Sequence, residues 1–213
     1  MTENQDYIYQ SIVLQIRMGF FSMEEISESI LEEVEDNGFE EEISEEWINS
    51  AIETEFQKLR TESDEWEIST ATNRLRKAFD ELCQLKIIAL HHAGYTTSNG
   101  ESEVVEVETQ LREKGILSDG YCFYHGQDLA RAIDPEQHTL FIAFQKINNK
   151  DDEVTIGVGK RVVQILEKHG FKVKWDGTAN TKIEIPDFYW QKIYNERDED
   201  LLDYSRLIDL MIK

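Results

Sequence analysis

The sequence predicts an α/β fold: a mixed, largely parallel sheet of four or five strands flanked by helices, with a helical region in front. An α+β arrangement is the alternative. Two observations carry this. Apolar residues recur at helical spacing through the first 85 residues. From residue 86 the pattern changes to short β-branched runs alternating with amphipathic segments, which is the pattern of βαβ units.

The helical region divides into four segments. "YIYQSIVLQIRMGF" sets Ile8, Ile12 and Ile16 on one stripe. Ser22 and Glu25 then form a capping box, ahead of a helix that repeats Ile26, Ile30 and Val34 and stops at Asn37-Gly38. Ser44 caps a third helix whose apolar side draws on Trp47, Ala51 or Ile52, and Phe56 or Leu59. "STATNRLRKAFDELCQL" gives a fourth, with Leu75, Phe79, Leu82 and Leu85 on one face.

The second region alternates. "KIIALHH" reads as a strand, "ESEVVEVETQLREKG" as a helix, "GYCFYH" as a strand and "GQDLARAI" as a short helix stopped at Asp134-Pro135. "TLFIAFQKI" is a strand and "DEVTIGVGKRVVQILEKHG" a helix closed by Gly170. "FKVKWDG" and "TKIEI" read as an antiparallel pair turning at Asp176-Gly177, and "DEDLLDYSRLIDLMIK" closes as an amphipathic helix. The organisation expected is an acidic helical region over 1–85 and an α/β domain over 86–213, joined as one compact unit.

Composition narrows the function classes. Formal net charge is −22. Nucleic acid and anionic membranes call for basic patches, so neither is an expected partner. Residues 18–57 hold 14 Asp and Glu and no Lys or Arg, a stretch suited to a basic protein partner. The N-terminus lacks the pattern of a signal peptide and no apolar run approaches the length of a membrane span, so the expected location is cytoplasmic. Cys83 and Cys122 stand in no metal or redox spacing and read as buried thiols.

Polar residues gather where the strands end, which is where ligands bind in parallel α/β sheets. His91, His92, Tyr95, Thr97 and Ser98 follow the first strand; His125, Gln127 and Asp128 follow the second; Trp175 and Asp176 stand at the later turn. These are the candidate ligand-binding residues. Each also has a local explanation. Ser98 with Glu101 matches a second capping box, Asp128 suits a helix cap, and Asp176-Gly177 is ordinary turn chemistry. His91 and His92 fall on opposite faces if the strand continues through them. No HxH, HExxH or CxxC spacing supports a metal, and Ser98 is in no G-x-S-x-G elbow, so no metal, cofactor or catalytic nucleophile is expected. "TIGVGK" lacks the phosphate-loop spacing; Gly157 and Gly159 read instead as letting the helix sit close on the sheet.

"WEISTATNRLRKAFDEL", "DGYCFYHGQDLARAI", "IGVGKRVVQILEKHGFKVKWDG" and a late Trp resemble a family of bacterial proteins catalogued as domain of unknown function 6891, over about residues 10–192. The matched positions are Trp66, Tyr121, His125, Gln127, Asp128, Gly157, Trp175, Asp176 and Gly177. Members often carry a cysteine-rich segment after the first strand, where this chain has "HHAGYTTSNG". The resemblance implies the fold and draws attention to the strand-end residues, but implies no reaction. Two functions stay open: a non-catalytic acidic module that binds a basic protein through residues 18–57, and a small-molecule enzyme or ligand sensor with its site at the strand ends. The sequence carries no signal of oligomeric state.

Overall fold

The structure is a computed structural model that describes residues 1–195 and 201–213. The chain forms two compact units. Residues 1–70 with 190–195 make the first, and residues 71–189 with 201–213 the second. The fourth helix therefore belongs with the sheet.

The first unit is built on α1 (Glu3–Met18), α2 (Met23–Asn37) and α3 (Glu45–Ser63). Their stripes close one core of Ile8, Ile12, Ile16, Ile26, Ile30, Val34, Ile43, Ile48, Ile52 and Leu59. Complete burial of such a side chain contributes about 1.5–3 kcal/mol, so these stripes hold the unit together. On α3 the buried line runs Ile48, Ile52, Glu55 and Leu59. Trp47, Ala51 and Phe56 pack only partly against the core, so the expected stripe shifts by one residue at its start. Side-chain bonds give the helix directions. Ser11–Glu33 and Gln15–Ser29 join α1 to α2 with residue numbers running oppositely, so those helices are antiparallel. Tyr9–Glu55 and Arg17–Glu62 join α1 to α3 with numbers rising together, so those are parallel. The result is an up-down-up bundle. The Ser22–Glu25 capping box forms, and Gly38 ends α2 with φ +70, a left-handed conformation that suits glycine.

The second unit contains α4 (Ala71–Gln84), β1 (Ile87–Leu90), α5 (Thr97–Glu113), β2 (Gly120–Phe123), α6 (Gly126–Ile133), β3 (Leu140–Gln145), α7 (Asp152–Lys168), β4 (Ile183–Ile185) and α8 (Tyr204–Ile212). Residues 198–200 of the expected last helix lie outside the described residues. The sheet is four-stranded and mixed, in the order β1-β2-β3-β4. Parallel pairing is confined to β1 and β2, with Ile87 opposite Gly120 and Leu90 opposite Phe123. β3 pairs antiparallel to β2, with Cys122 opposite Phe144, so the chain re-enters the sheet at the rim it left. β4 is antiparallel to β3. The segment expected as a further strand, "FKVKWDG", is reduced to one antiparallel bridge, Lys174 with Glu184.

Helices cover both faces. Phe79 of α4 packs near Tyr124, and Gly120 and Phe144 face Val158 and Gly159 of α7. On the other face Gly100 of α5 abuts Phe123, and Arg131 of α6 lies over Phe141. α8 packs on α4, α5 and β1, where Arg206 pairs with Asp80, Tyr204 bonds Glu103 and Lys86 bonds the Met211 carbonyl. An edge strand is thereby kept from open pairing. Leu75, Phe79 and Leu82 are buried as expected, but Leu85 is not, because α4 has ended by then. Cys83 and Cys122 are buried free thiols, and burial pushes the Cys83 thiol up to about 12. Among the described residues no helix is long and apolar enough to cross a membrane.

The two α7 glycines differ. A Cβ on Gly159 would come within 2.7 Å of Phe144 and 2.8 Å of Trp175, whereas one on Gly157 would meet nothing within 4 Å. Only Gly159 serves close packing on the sheet. Gly159→Ala should therefore destabilise by about 1–3 kcal/mol, as overpacking does. Gly157→Ala, in an exposed helix interior, should stabilise by about 0.5–1 kcal/mol. Denaturant unfolding of the two variants measures both signs.

Candidate functional site

The strand-end residues do not meet in one place; the pleat divides them. His91 continues the β1 face that looks onto α4. It is buried, its ring lies 4.6 Å from that of Phe79, and Nδ1 is 3.1 Å from the Tyr124 hydroxyl. It lines a cavity of about 20 Å³ with Asp80, Cys83, Tyr204 and Arg206. A space of that size holds about one water molecule. His92 turns the other way. Its backbone is left-handed, with φ +47, and its ring lies against Gly126.

On that second side the loop after β1 is stitched to the start of α6. Ala93 N–H donates to the Tyr124 carbonyl, Gly126 N–H to that of Gly94, and Gln127 N–H to that of Tyr95. The side chains of Tyr95 and Gln127 remain exposed. Thr96, not Ser98, is the N-cap of α5, in a capping box with Asn99. Ser98 lies inside the first turn. The local pattern fits both registers, and packing of Gly100 against Phe123 fits the earlier start.

The N-cap of α6 is His125, with Asp128 as the answering residue of its capping box. His125 Nδ1 accepts the Asp128 backbone N–H at 3.2 Å, and an Asp128 oxygen accepts the His125 backbone N–H at 3.4 Å. Asp128 is completely buried. A carboxylate there requires compensating charge. Lys182 supplies it, with Nζ 2.9 and 2.7 Å from the two carboxylate oxygens, and Arg131 adds a longer contact at 3.5 Å. Thr97 Oγ1 lies 3.2 Å from His125 Nε2, and Lys182 Nζ lies 2.9 Å from the same nitrogen.

Two donors face the His125 ring. Nδ1 meets the Asp128 N–H at 3.2 Å, an N–H that also lies 3.0 Å from the His125 carbonyl, and Nε2 meets the Lys182 ammonium at 2.9 Å; a neutral imidazole has one ring lone pair for the two. Burial, then Lys182 and Arg131, lower the His125 pKa against the opposing pull of Asp128, so the ring is neutral at neutral pH. The Lys182 ammonium donates to both Asp128 oxygens and also lies against Nε2, so that nitrogen is shared between Lys182 and the Thr97 hydroxyl. The arrangement ties α5, α6 and the lead into β4 together.

Trp175 and Asp176 belong to a different setting. Asp176 caps its own turn by accepting from the Thr178 N–H and from the hydroxyls of Thr178 and Thr181. The Thr181 bond is the main cause of its lowered pKa. The Trp175 ring packs edge-on against Phe144, beside Gly159, on the α7 face. Lys182 sits on the opposite face, two residues from Glu184, which pairs with Phe141. Lys182 and Arg131 were not among the sequence candidates. Period-two alternation in "TKIEI" places Lys182 and Glu184 on one face, so the signal for Lys182 was present. Among the described residues no three His, Cys, Asp or Glu side chains form a metal-ligand set.

The first unit carries a second feature. α2 and α3 flank an open groove of about 480 Å³, lined by Met23, Leu31 and Ile52 below and by Glu24, Glu28, Glu45 and Glu53 along its walls.

A family model, described as domain of unknown function 6891, matches residues 1–194. The chain belongs to that family. No curated protein and no solved structure matches it. The domain of unknown function 6891 model thus spans both the acidic bundle and the His125–Asp128–Lys182 group, and its description names no activity.

Two outcomes follow from the buried group. Lys182→Met should cost about 3 kcal/mol, the lower end for stranding one partner of a buried pair, because Lys182 is itself partly exposed; denaturant unfolding measures it. Acid should also destabilise the fold. Burial, and next the nearby His125, lower His92 from 6.5 to about 4. Between those values the unfolded chain binds the proton that the folded chain excludes, so stability falls as pH falls. At about pH 5 His92 should account for on the order of 2 kcal/mol. His92→Asn, which tolerates the left-handed backbone, should flatten the melting-temperature profile between pH 7 and 5.

Proposed function

We propose that this protein is an interaction module whose acidic helical unit binds a basic segment of a partner protein. The observation that supports this reading is the α2–α3 groove, whose lining includes four glutamates and no Lys, Arg or His. Residues 1–70 hold 20 Asp and Glu against three Lys and Arg. None of those three, Arg17, Lys58 and Arg60, lines the groove. Arg17 pairs with Glu62, and Lys58 pairs with Glu55 beside Tyr9. Like charges left together on a surface cost stability through self-repulsion, and a cationic partner removes that cost. The strand-end group has the opposite character: its buried carboxylate is already compensated, and His125 is held by backbone at Nδ1 and by Lys182 and Thr97 at Nε2. That closure favours the binding reading over an enzyme or sensor at the rim.

The probe is a lysine-rich peptide titrated into the full chain by calorimetry. Binding should weaken steeply as ionic strength rises, because exposed charges are screened beyond about 8 Å at physiological salt. Replacing Glu24, Glu28, Glu45 and Glu53 together by Gln should weaken binding by about tenfold, at a few tenths of a kcal/mol for each exposed carboxylate. The same change at Glu40, Glu41, Glu65 and Glu67 should do less. Equal losses from the two sets would reduce the acidity to net charge alone and remove the proposal.

A further inference from the structure

We propose that the α2–α3 groove seats a basic amphipathic helix of a partner protein, which completes the three-helix bundle as a fourth helix. This rests on the acidic-module reading and specifies the form of the partner. Three observations lead to it.

The first is the shape of the bundle. α1 packs against both α2 and α3, which also pack on each other, so each pair leaves an outer groove. All three are crossed by the chain's own polar side chains, but unequally: Ser11–Glu33 and Gln15–Ser29 between α1 and α2, Tyr9–Glu55 and the two-pronged Arg17–Glu62 pair between α1 and α3, and the single neutral Ser27–Asn49 bond, 2.7 Å long, between α2 and α3.

The second is the distribution of apolar and charged groups. Met23, 49% exposed although it begins a helix otherwise anchored by buried isoleucines, and the half-buried Leu31 supply the apolar surface of the groove, over the buried Ile52. Glu24 and Glu28, one helical turn apart, form one wall, and Glu45 and Glu53 form the other. An occupant that matches both needs apolar residues along one stripe and Lys or Arg on either side of it. A helix has that geometry at i, i+3, i+4 and i+7, and helix-in-groove docking reads such anchors.

The third is length. α2 has 15 residues and α3 has 19. The groove lining runs from Met23 to Leu31 on α2 and from Glu45 to Glu53 on α3; at 1.5 Å per residue that is about 12 Å, about two turns of a docked helix. Two antiparallel helices side by side present the seam into which a further helix packs in a four-helix bundle.

The test uses two peptides of about 16 residues and identical Leu and Lys composition, one with the leucines on a single helical stripe and the other with them scattered. Each is titrated into the full chain at low and high salt, with circular dichroism of the peptide followed in parallel. The striped peptide should bind at least about tenfold tighter and gain helicity on binding, since only it can place its anchors in the groove. Asn49→Trp fills the groove from an exposed position on α3, and should abolish that preference while leaving the salt-sensitive binding of the scattered peptide intact. Equal, salt-sensitive binding of both peptides would overturn the helix-in-groove proposal and leave the acidic module standing. Failure of both peptides to bind at low salt would overturn both.

Discussion

The sheet unit depends on one buried charge. Asp128 carries a carboxylate with no solvent access, and a carboxylate in that position must be surrounded by donors. Two of the donors are local, the His125 backbone just after β2 and Arg131 one turn along α6, and the third, Lys182 just before β4, comes from 54 residues away. Satisfying this one group sets the entry of α6 and brings the lead into β4 across β3 on the α6 face. The His125 ring then completes the set by capping α6 and reaching Thr97 at the start of α5. The same economy appears at Glu108, also buried, which takes Arg112 from its own helix and the Ser118 N–H from the following turn.

Buried and exposed carboxylates are therefore treated in opposite ways. Interior acids have short, specific partners, as at Asp128, Glu108 and Glu55. Along α2 and the first half of α3, acids are dense and no Lys or Arg is present in the sequence to meet them. Stability does not call for that pattern, since alternating signs on helix faces would add i,i+4 support. A functional reading thus attaches more naturally to the open, unneutralised groove than to the closed histidine group.

The helical unit was the most legible part of the sequence. Ile8, Ile12 and Ile16, and Ile26, Ile30 and Val34, are all buried as their spacing implies. Their burial follows from local periodicity, and three short amphipathic helices have few ways to share one core. At α5 local chemistry was ambiguous: Thr96–Asn99 and Ser98–Glu101 both suit a helix start, and contact between Gly100 and Phe123 accompanies the one adopted. The polar residues at the strand ends were equally visible, but the pleat separates His91 from His92, and Trp175 from Lys182. Their shared location in the sequence pattern did not make a shared site.

By itself the sequence determined the helices and the four strands of the sheet, though not the reduction of "FKVKWDG" to one bridge, together with the division of apolar faces, the acidic stretch and the strand-end position of His125 and Asp128. Each follows from spacing within a few residues, where helix and strand geometry leaves little freedom. Only the tertiary structure decided that β3 returns antiparallel to β2, that Lys182 neutralises Asp128, that Gly159 and not Gly157 sits against the sheet, and that an acidic groove opens between α2 and α3. Those outcomes join residues far apart in the chain, and the energy that selects them, desolvation of a charge or contact between two side chains, exists only once the elements have packed.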